Sequence, residues 1–177
     1  MVRWREMPEG LKSREQTLFA GKLLLEMLEE IYGIREMPVT EKGRYGKPYF
    51  PDHPWIRFNY THTDHMTACI VGSREAGIDL ERIRPFQERT ARRFSAPGEW
   101  EWLLLQEDPD SAWIRLWTVK EAYLKYLGCG INREMCEIDL LEAVTQPEEG
   151  TVVMDALGCS FTSQRIRDCW MTICEEL

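Results

Sequence analysis

Trp117-Thr118-Val119-Lys120-Glu121-Ala122-Tyr123-Leu124-Lys125 is the stretch from which the fold is read. Leu116, Trp117, Val119, Tyr123, Leu124 and Leu127 recur at three- and four-residue intervals, the period of a helix, and Gly128 and Gly130 end it. Glu121 and Lys125 stand four apart and share a face. Taken alone, that pair describes an ordinary solvated helix face. Upstream lies a second acidic pattern, Gly77-Ile78-Asp79-Leu80-Glu81, in a strand-like run from Ile78 to Ile83. The period of two in a strand puts Asp79 and Glu81 on one side of it.

Two carboxylates on one strand face can hold a hard divalent cation, with Glu121 as a third ligand from the helix. Magnesium keeps few carboxylates and fills its remaining positions with water and substrate phosphate. Lys120 and Lys125 would then offset the phosphate charge that the metal leaves uncompensated.

Working outward, Ser13 to Tyr32 reads as an amphipathic helix. Its stripe is Leu18, Leu24, Leu25, Leu28 and Ile31, with Ser13 as the cap and Gly33 as the stop. Gly21 inside it costs about 1 kcal/mol against alanine; a close approach by another backbone or a ligand would explain it, and so would accident. The first dozen residues look irregular, and 38–54 looks like loop. Trp55–Tyr60 and Met66–Val71 read as strands around the polar interruption Thr61-His62-Thr63-Asp64-His65. The turn 72–77 then suggests that Met66–Val71 and Ile78–Ile83 form a hairpin. Further on come a short basic helix, Gln87–Phe94, an aromatic helix holding Trp100 and Trp102, and an acidic loop, Glu107–Asp110. Ile138–Leu177 reads as strands broken at Gln146–Gly150, Gly158 and Asp168. The expected class is α+β, in two halves, 1–75 and 76–177, the second carrying the acidic motifs.

With 177 residues, 44% hydrophobic and 29% charged, the chain describes a soluble globular protein able to bury a core without staples. No apolar run has membrane-spanning length and no leader is evident, so a cytosolic location is expected. Six cysteines without a Cys-x-x-Cys pair suit reduced thiols. A net charge of −8 argues against a general nucleic-acid binder. Against that background, Arg82, Arg84, Arg89, Arg92 and Arg93 face one acid, Glu88, and form a candidate docking patch for an acidic partner.

His62 beside Thr61 and Thr63 could donate to a phosphate, as could Lys47 before Pro48. His53 and His65 read as structural or surface, and the indole-rich segment Trp100–Trp117 reads as core. The residues alone thus support metal-dependent handling of a phosphorylated small molecule. Two rivals remain: a magnesium-dependent phosphohydrolase built on the same three carboxylates, and a binding protein without chemistry.

Gly77-Ile78-Asp79-Leu80-Glu81 followed by Trp117-x-x-Lys120-Glu121-Ala122-x-x-Lys125 resembles the signature of the 4′-phosphopantetheinyl transferases, in the pseudo-dimeric branch typified by the surfactin-synthetase activator. Lys47-Pro48, Phe58-Asn59-Tyr60-Thr61-His62-Thr63 and the helix around Gly21 fall in the family's order, so the resemblance spans about 14–130. It implies two pseudo-symmetric α+β halves with the site in the cleft between them. The implied reaction moves the phosphopantetheine arm of coenzyme A to a serine of an apo acyl or peptidyl carrier protein and releases 3′,5′-ADP.

By the same resemblance, Asp79, Glu81 and Glu121 hold magnesium (or manganese), and Glu121 or a metal-bound water takes the serine proton. Lys125 steadies the transferring phosphoryl group. Lys47, Thr61, His62 and Lys120 meet the coenzyme A phosphates, the arginine patch docks the carrier, and the protein is a monomer. Thr61 stands where relatives commonly have serine. Thr17 stands where they often have an arginine for the 3′-phosphate, and Arg14 one turn earlier is the substitute.

Overall fold

A computed structural model describes residues 1–130, 133–145 and 150–177. In chain order the elements are β1 (Val2–Glu6), α1 (Ser13–Tyr32), β2 (Glu41–Lys42), β3 (Pro48–Tyr49), β4 (Arg57–His62), β5 (Met66–Gly72) and β6 (Ala76–Arg82). They continue with α2 (Glu88–Phe94), α3 (Pro97–Leu104), α4 (Pro109–Leu127), α5 (Leu141–Thr145), β7 (Gly150–Met154), β8 (Cys159–Ile166) and β9 (Cys169–Glu176). The class is α+β, as expected. No described helix is long and apolar enough to cross a membrane.

Two antiparallel sheets carry the molecule. One has the order β1-β5-β4, the other β6-β9-β8-β7. Alternation along β5 explains how it serves two layers. Cys69 and Val71 pack with Leu23, Leu24, Met27 and Leu28 of α1, while Met66, Ala68 and Ile70 turn to the other sheet. There they meet Ala76, Ile78 and Leu80 of β6 and Met171 and Ile173 of β9. The opposite face of the second sheet is covered by α4, through Leu116, Val119, Ala122 and Tyr123 against Phe161, Trp170 and Cys174. Trp100, Trp102, Trp113 and Trp117 all join this core, as the aromatic segment suggests.

Several expectations are corrected. The first residues are not irregular: β1 pairs with β5 from Val2↔Ile70 to Glu6↔Met66. Met66–Val71 and Ile78–Ile83 are not a hairpin. β5 pairs with β4, β6 pairs with β9, and the turn between them hands the chain from one sheet to the other, so the two strands stack rather than share a ladder. The acidic loop is partly helix, since Asp108 caps α4 by accepting from the Ser111 amide at 3.1 Å and Pro109 takes the first helical position. Ile138–Leu177 contains α5 before its strands, and of the break expected at Gln146–Gly150, residues 146–149 lie outside the described residues.

On α1 the cap is Lys12, whose amide donates to Glu15 at 2.8 Å, and Leu18 is 61% exposed rather than in the stripe. Ala20, Leu23 and Met27 supply the buried face that the leucine spacing missed.

Gly21 is approached by nothing: a Cβ added there would meet no atom within 4 Å. Gly77 is the position that proximity demands. A Cβ on it would stand 2.1 Å from the Ala122 carbonyl oxygen and 2.4 Å from the Tyr126 amide nitrogen, both backbone atoms of α4. The helix therefore rests directly on β6 at this point, closer than any side chain would allow. Gly77→Ala must lift α4 from the strand and is expected to destabilise the protein by about 3 kcal/mol or more. Urea denaturation checks this, and a Gly77→Ala midpoint equal to wild type would refute the close-packing account.

Candidate functional site

The contact at Gly77 decides what faces what. Gly77, Asp79 and Glu81 share the β6 face that looks onto α4, while Ile78 and Leu80 point into the inter-sheet core. Glu121 and Lys125, four apart on α4, are brought over that face. Lys125 Nζ donates to Asp79 Oδ1 at 2.6 Å and to the Ile78 carbonyl at 3.1 Å. From β4, Thr61 Oγ1 donates to the same Asp79 oxygen at 3.3 Å, and Asn59 Oδ1 accepts from the Ile78 amide at 3.1 Å. The free edge of β6 is thus satisfied by side chains of β4 and α4 rather than by another strand.

Asp79 and Glu121 are 3% and 7% exposed, yet Asp79 Oδ2 and Glu121 Oε1 are buried with no hydrogen-bond partner among the described residues. Leaving such oxygens unsatisfied costs about 1–3 kcal/mol each, more when charged. Burial first, and then the negative charge of Asp79, push the Glu121 carboxyl from its ordinary 4.5 to about 7, against the pull of Lys125. Glu81 completes the acidic set and is 28% exposed, with Oε2 accepting from Arg84 at 2.8 Å. Carboxylates gathered faster than protein cations compensate them, with two oxygens left orphaned, fit a hard divalent ion. The donor set is all oxygen, which suits magnesium or manganese.

Other expected residues separate into those near this group and those held elsewhere. His62 ends β4, and its Nε2 lies 3.4 Å from Thr17 Oγ1 on α1, whose hydroxyl donates to Ser13 at 3.0 Å. Arg14 is exposed on the first turn of α1. Lys47 is beside the site, but its ammonium donates to Glu75 at 2.8 Å, to Ala76 at 3.1 Å and to Tyr126 at 3.0 Å. Its methylenes instead pack under Gly128 and help line a cavity of about 280 Å³ with Tyr45, Pro48, Tyr60, Leu124 and Lys125. Three engaged donors leave that ammonium no free hydrogen for a phosphate in this conformation.

Lys120 is the plainest departure. Its side chain is 1% exposed and pairs with Glu99, itself fully buried, at 2.8 Å. It also donates to the Met135 and Ile138 carbonyls at 2.9 and 2.5 Å. Burial pushes the ammonium down and the Glu99 carboxyl up, and their mutual attraction opposes both shifts. One residue from Glu121 is about 100° around a helix, so Lys120 faces α3 and the 133–138 segment and braces the fold.

The five arginines divide as well. Arg82 pairs with Asp64 and Asp168, and Arg84 with Glu81. Arg89, Arg92 and Arg93 form the exposed basic side of α2, around a hollow of about 540 Å³.

A residue that sequence reasoning passed over is Asn59, which holds the β6 edge in place. Its signal was a buried-strand position occupied by an amide. No disulfide joins the cysteines among the described residues.

Comparison with known proteins follows this geometry. The family model described as the 4′-phosphopantetheinyl transferase superfamily matches residues 75–174, the region holding β6, α4 and the closing strands. The 4′-phosphopantetheinyl transferase gsp of Aneurinibacillus migulanus is 33% identical over 69% of this chain and 52% of its own length. The 4′-phosphopantetheinyl transferase Sfp of Bacillus subtilis is 28% identical, over 66% and 54%. HetI of Nostoc, also named a 4′-phosphopantetheinyl transferase, is 39% identical over 58% and 46%. The chain spans about half the length of the curated relatives it matches.

The orphaned carboxylates set a pH dependence. A carboxyl raised on folding binds its proton more tightly folded than unfolded, so its contribution to stability is complete below about 4.5 and lost as pH rises through about 7. In EDTA, wild type is expected to lose about 3 kcal/mol relative to Glu121→Gln between about pH 5 and pH 8, and magnesium should remove the loss. Denaturation at several pH values reads this directly. A wild-type difference that is flat with pH and indifferent to magnesium would count against a coupled carboxylate site.

Proposed function

The chain belongs to the 4′-phosphopantetheinyl transferase superfamily, and on that premise we propose that it transfers the 4′-phosphopantetheine arm of coenzyme A to a serine hydroxyl of an apo acyl or peptidyl carrier protein. The serine oxygen forms a bond to the β-phosphorus of coenzyme A, the pyrophosphate bridge breaks, and 3′,5′-ADP leaves. The observation that carries this reading is the pair of buried, partnerless oxygens on Asp79 and Glu121 beside the Lys125 ammonium.

Asp79, Glu81 and Glu121 would hold magnesium, which when bound supplies charge neutralisation for the pyrophosphate. Thr61 and Lys125 fix Asp79 Oδ1, so that Oδ2 is the oxygen turned to the site. Glu121 would accept the serine proton. Lys125, 28% exposed, meets the phosphoryl group as its charge grows. His62, held by Thr17, and Arg14 on the same helix would meet the coenzyme A phosphates. Lys47 shapes the neighbouring cavity through its chain. The work of these residues is positioning and charge, which is what phosphoryl transfer requires.

In this reading 1–75 and 76–177 act as two pseudo-symmetric halves flanking the site. The protein works as a monomer in the cytosol, a setting in keeping with cysteines that form no disulfide among the described residues.

Incubating a panel of apo carrier proteins with the protein, coenzyme A and magnesium, followed by intact mass spectrometry, tests the proposal. One phosphopantetheine should be gained, lost with EDTA and slowed about 100-fold or more by Glu121→Gln. No gain on any carrier, with coenzyme A binding intact, would favour a non-catalytic binder.

Carrier domains are typically acidic around their serine, and the basic side of α2 follows the metal strand. Charge reversal at Arg89, Arg92 and Arg93 is therefore expected to raise the carrier KM while leaving coenzyme A affinity unchanged. Unaltered carrier kinetics would remove α2 from the docking surface.

A further inference from the structure

Away from the carboxylate group, the turn between β4 and β5 meets the turn between β8 and β9. His65 from the first, Asp168 from the second and Cys169, the first residue of β9, converge there. His65 Nε2 lies 3.1 Å from Asp168 Oδ1 and 3.8 Å from Cys169 Sγ, and that sulfur lies 3.8 Å from the same Asp168 oxygen. Nitrogen, oxygen and sulfur thus mark a triangle with one ligand atom at each corner. Tetrahedral zinc with bonds of about 2.0–2.3 Å to these atom types needs separations of about 3.4–3.6 Å, so each edge is within about 0.3 Å of the requirement.

Two further features agree with a built metal site. Asp64 Oδ1 contacts His65 Nδ1 at 2.6 Å and Asp168 Oδ1 contacts Nε2 at 3.1 Å, so the two carboxylates share the imidazole between them, and a metal that takes the Nε2 corner leaves Nδ1–H donating to Asp64. A carboxylate on the far nitrogen is how proteins orient a metal-binding imidazole. Arg82 then binds the outer oxygens, Asp168 Oδ2 at 2.8 Å and Asp64 Oδ2 at 3.2 Å, leaving both Oδ1 atoms to the imidazole. On the solvent side a hollow of about 420 Å³, bounded by Glu9, Asp64, His65, Arg82, Arg167 and Asp168, gives a fourth ligand room to enter.

We infer that His65, Asp168 and Cys169 form a second metal site, selective for zinc, which clamps the β4–β5 turn to the β8–β9 turn. Thiolate and imidazole favour zinc over magnesium or calcium, which prefer oxygen. Binding displaces to solvent the Cys169 thiol proton and the proton held between His65 Nε2 and Asp168, forms the zinc–sulfur, zinc–nitrogen and zinc–oxygen bonds, and changes no oxidation state. The clamp joins one sheet to the other beside Arg82, the residue after Glu81. It is separate from the magnesium carboxylates and independent of the transfer reaction.

The test is zinc retention through dialysis against excess magnesium, read by metal analysis, together with the spectrum of the cobalt-substituted protein. Wild type should retain one zinc, and its cobalt form should show tetrahedral visible bands with a thiolate-to-cobalt band. His65→Ala and Asp168→Asn should lose the zinc, and Asp64→Asn should weaken it about 10–100-fold. Cys169→Ser, its fold checked by circular dichroism, should lose the thiolate band, whereas Cys136→Ser should keep it. No retained zinc in wild type, or a thiolate band that survives Cys169→Ser, overturns the site and leaves an ion-paired cluster. Phosphopantetheine transfer, measured separately in magnesium, bears on neither outcome.

Discussion

Everything at the carboxylate site depends on one close contact, the seating of α4 on β6 at Gly77. A helix on a sheet is ordinarily held off by side chains, with its backbone well above the strand. Here a missing Cβ lets the Ala122 and Tyr126 backbone atoms come into direct contact with the strand. The period of each element does the rest. Two and four residues along β6, the same face presents Asp79 and Glu81, and on either side of the contact α4 presents Glu121 and Lys125. The site needs no loop to assemble it, and its precision is that of two rigid elements pressed together.

The electrostatics follow from this geometry. Bringing carboxylates under a helix removes water from two of them, and a single lysine ammonium does not compensate the set. The fold carries that penalty elsewhere in well-satisfied groups. The Glu99–Lys120 pair is buried too, but Glu99 accepts from the Ala96 and Leu140 amides at 2.6 and 2.7 Å, and Lys120 is held by two carbonyls. Thr118, Thr172 and Ser163 likewise link hydroxyl to hydroxyl at 2.9 and 3.0 Å. These buried polar groups close into networks, whereas Asp79 Oδ2 and Glu121 Oε1, like Ser95 Oγ, have no hydrogen-bond partner among the described residues. Two such oxygens on the acids of one site fit a cationic partner.

The two sheets also explain why the chain reads ambiguously near residue 72. Met66–Val71 and Ile78–Ile83 look like hairpin partners because a short turn separates two apolar runs. Met66–Val71, however, is nearly all apolar because both its faces are covered, whereas Ile78–Ile83 alternates, with Asp79 and Glu81 on the face under α4. β5 is sandwiched between α1 and the second sheet, and β6 between the first sheet and α4. Neither needs the other as a ladder neighbour: β5 pairs with β4 just before it and with β1 at the start of the chain, and β6 pairs with β9 near the end. Local pattern cannot see β1 or β9 as partners.

What the sequence determined by itself was the periodic part. The helix of α4 with its glycine stop, the strand face shared by Asp79 and Glu81, the aromatic core and the α+β class all follow from spacing between near neighbours. Tertiary structure alone decided which of the two lysines of α4 faces Asp79. Lys120 and Lys125 read alike in the chain, but α3 and the 133–138 segment close over one while the other faces Asp79. It also decided that Gly77 and not Gly21 is the glycine under compression, that Lys47 turns its ammonium to Glu75, and that His65 meets Asp168. The physical reason is common to all four. Periodicity fixes the direction in which a side chain leaves its own element, but its partner, its burial and its charge state are set by elements far away in sequence.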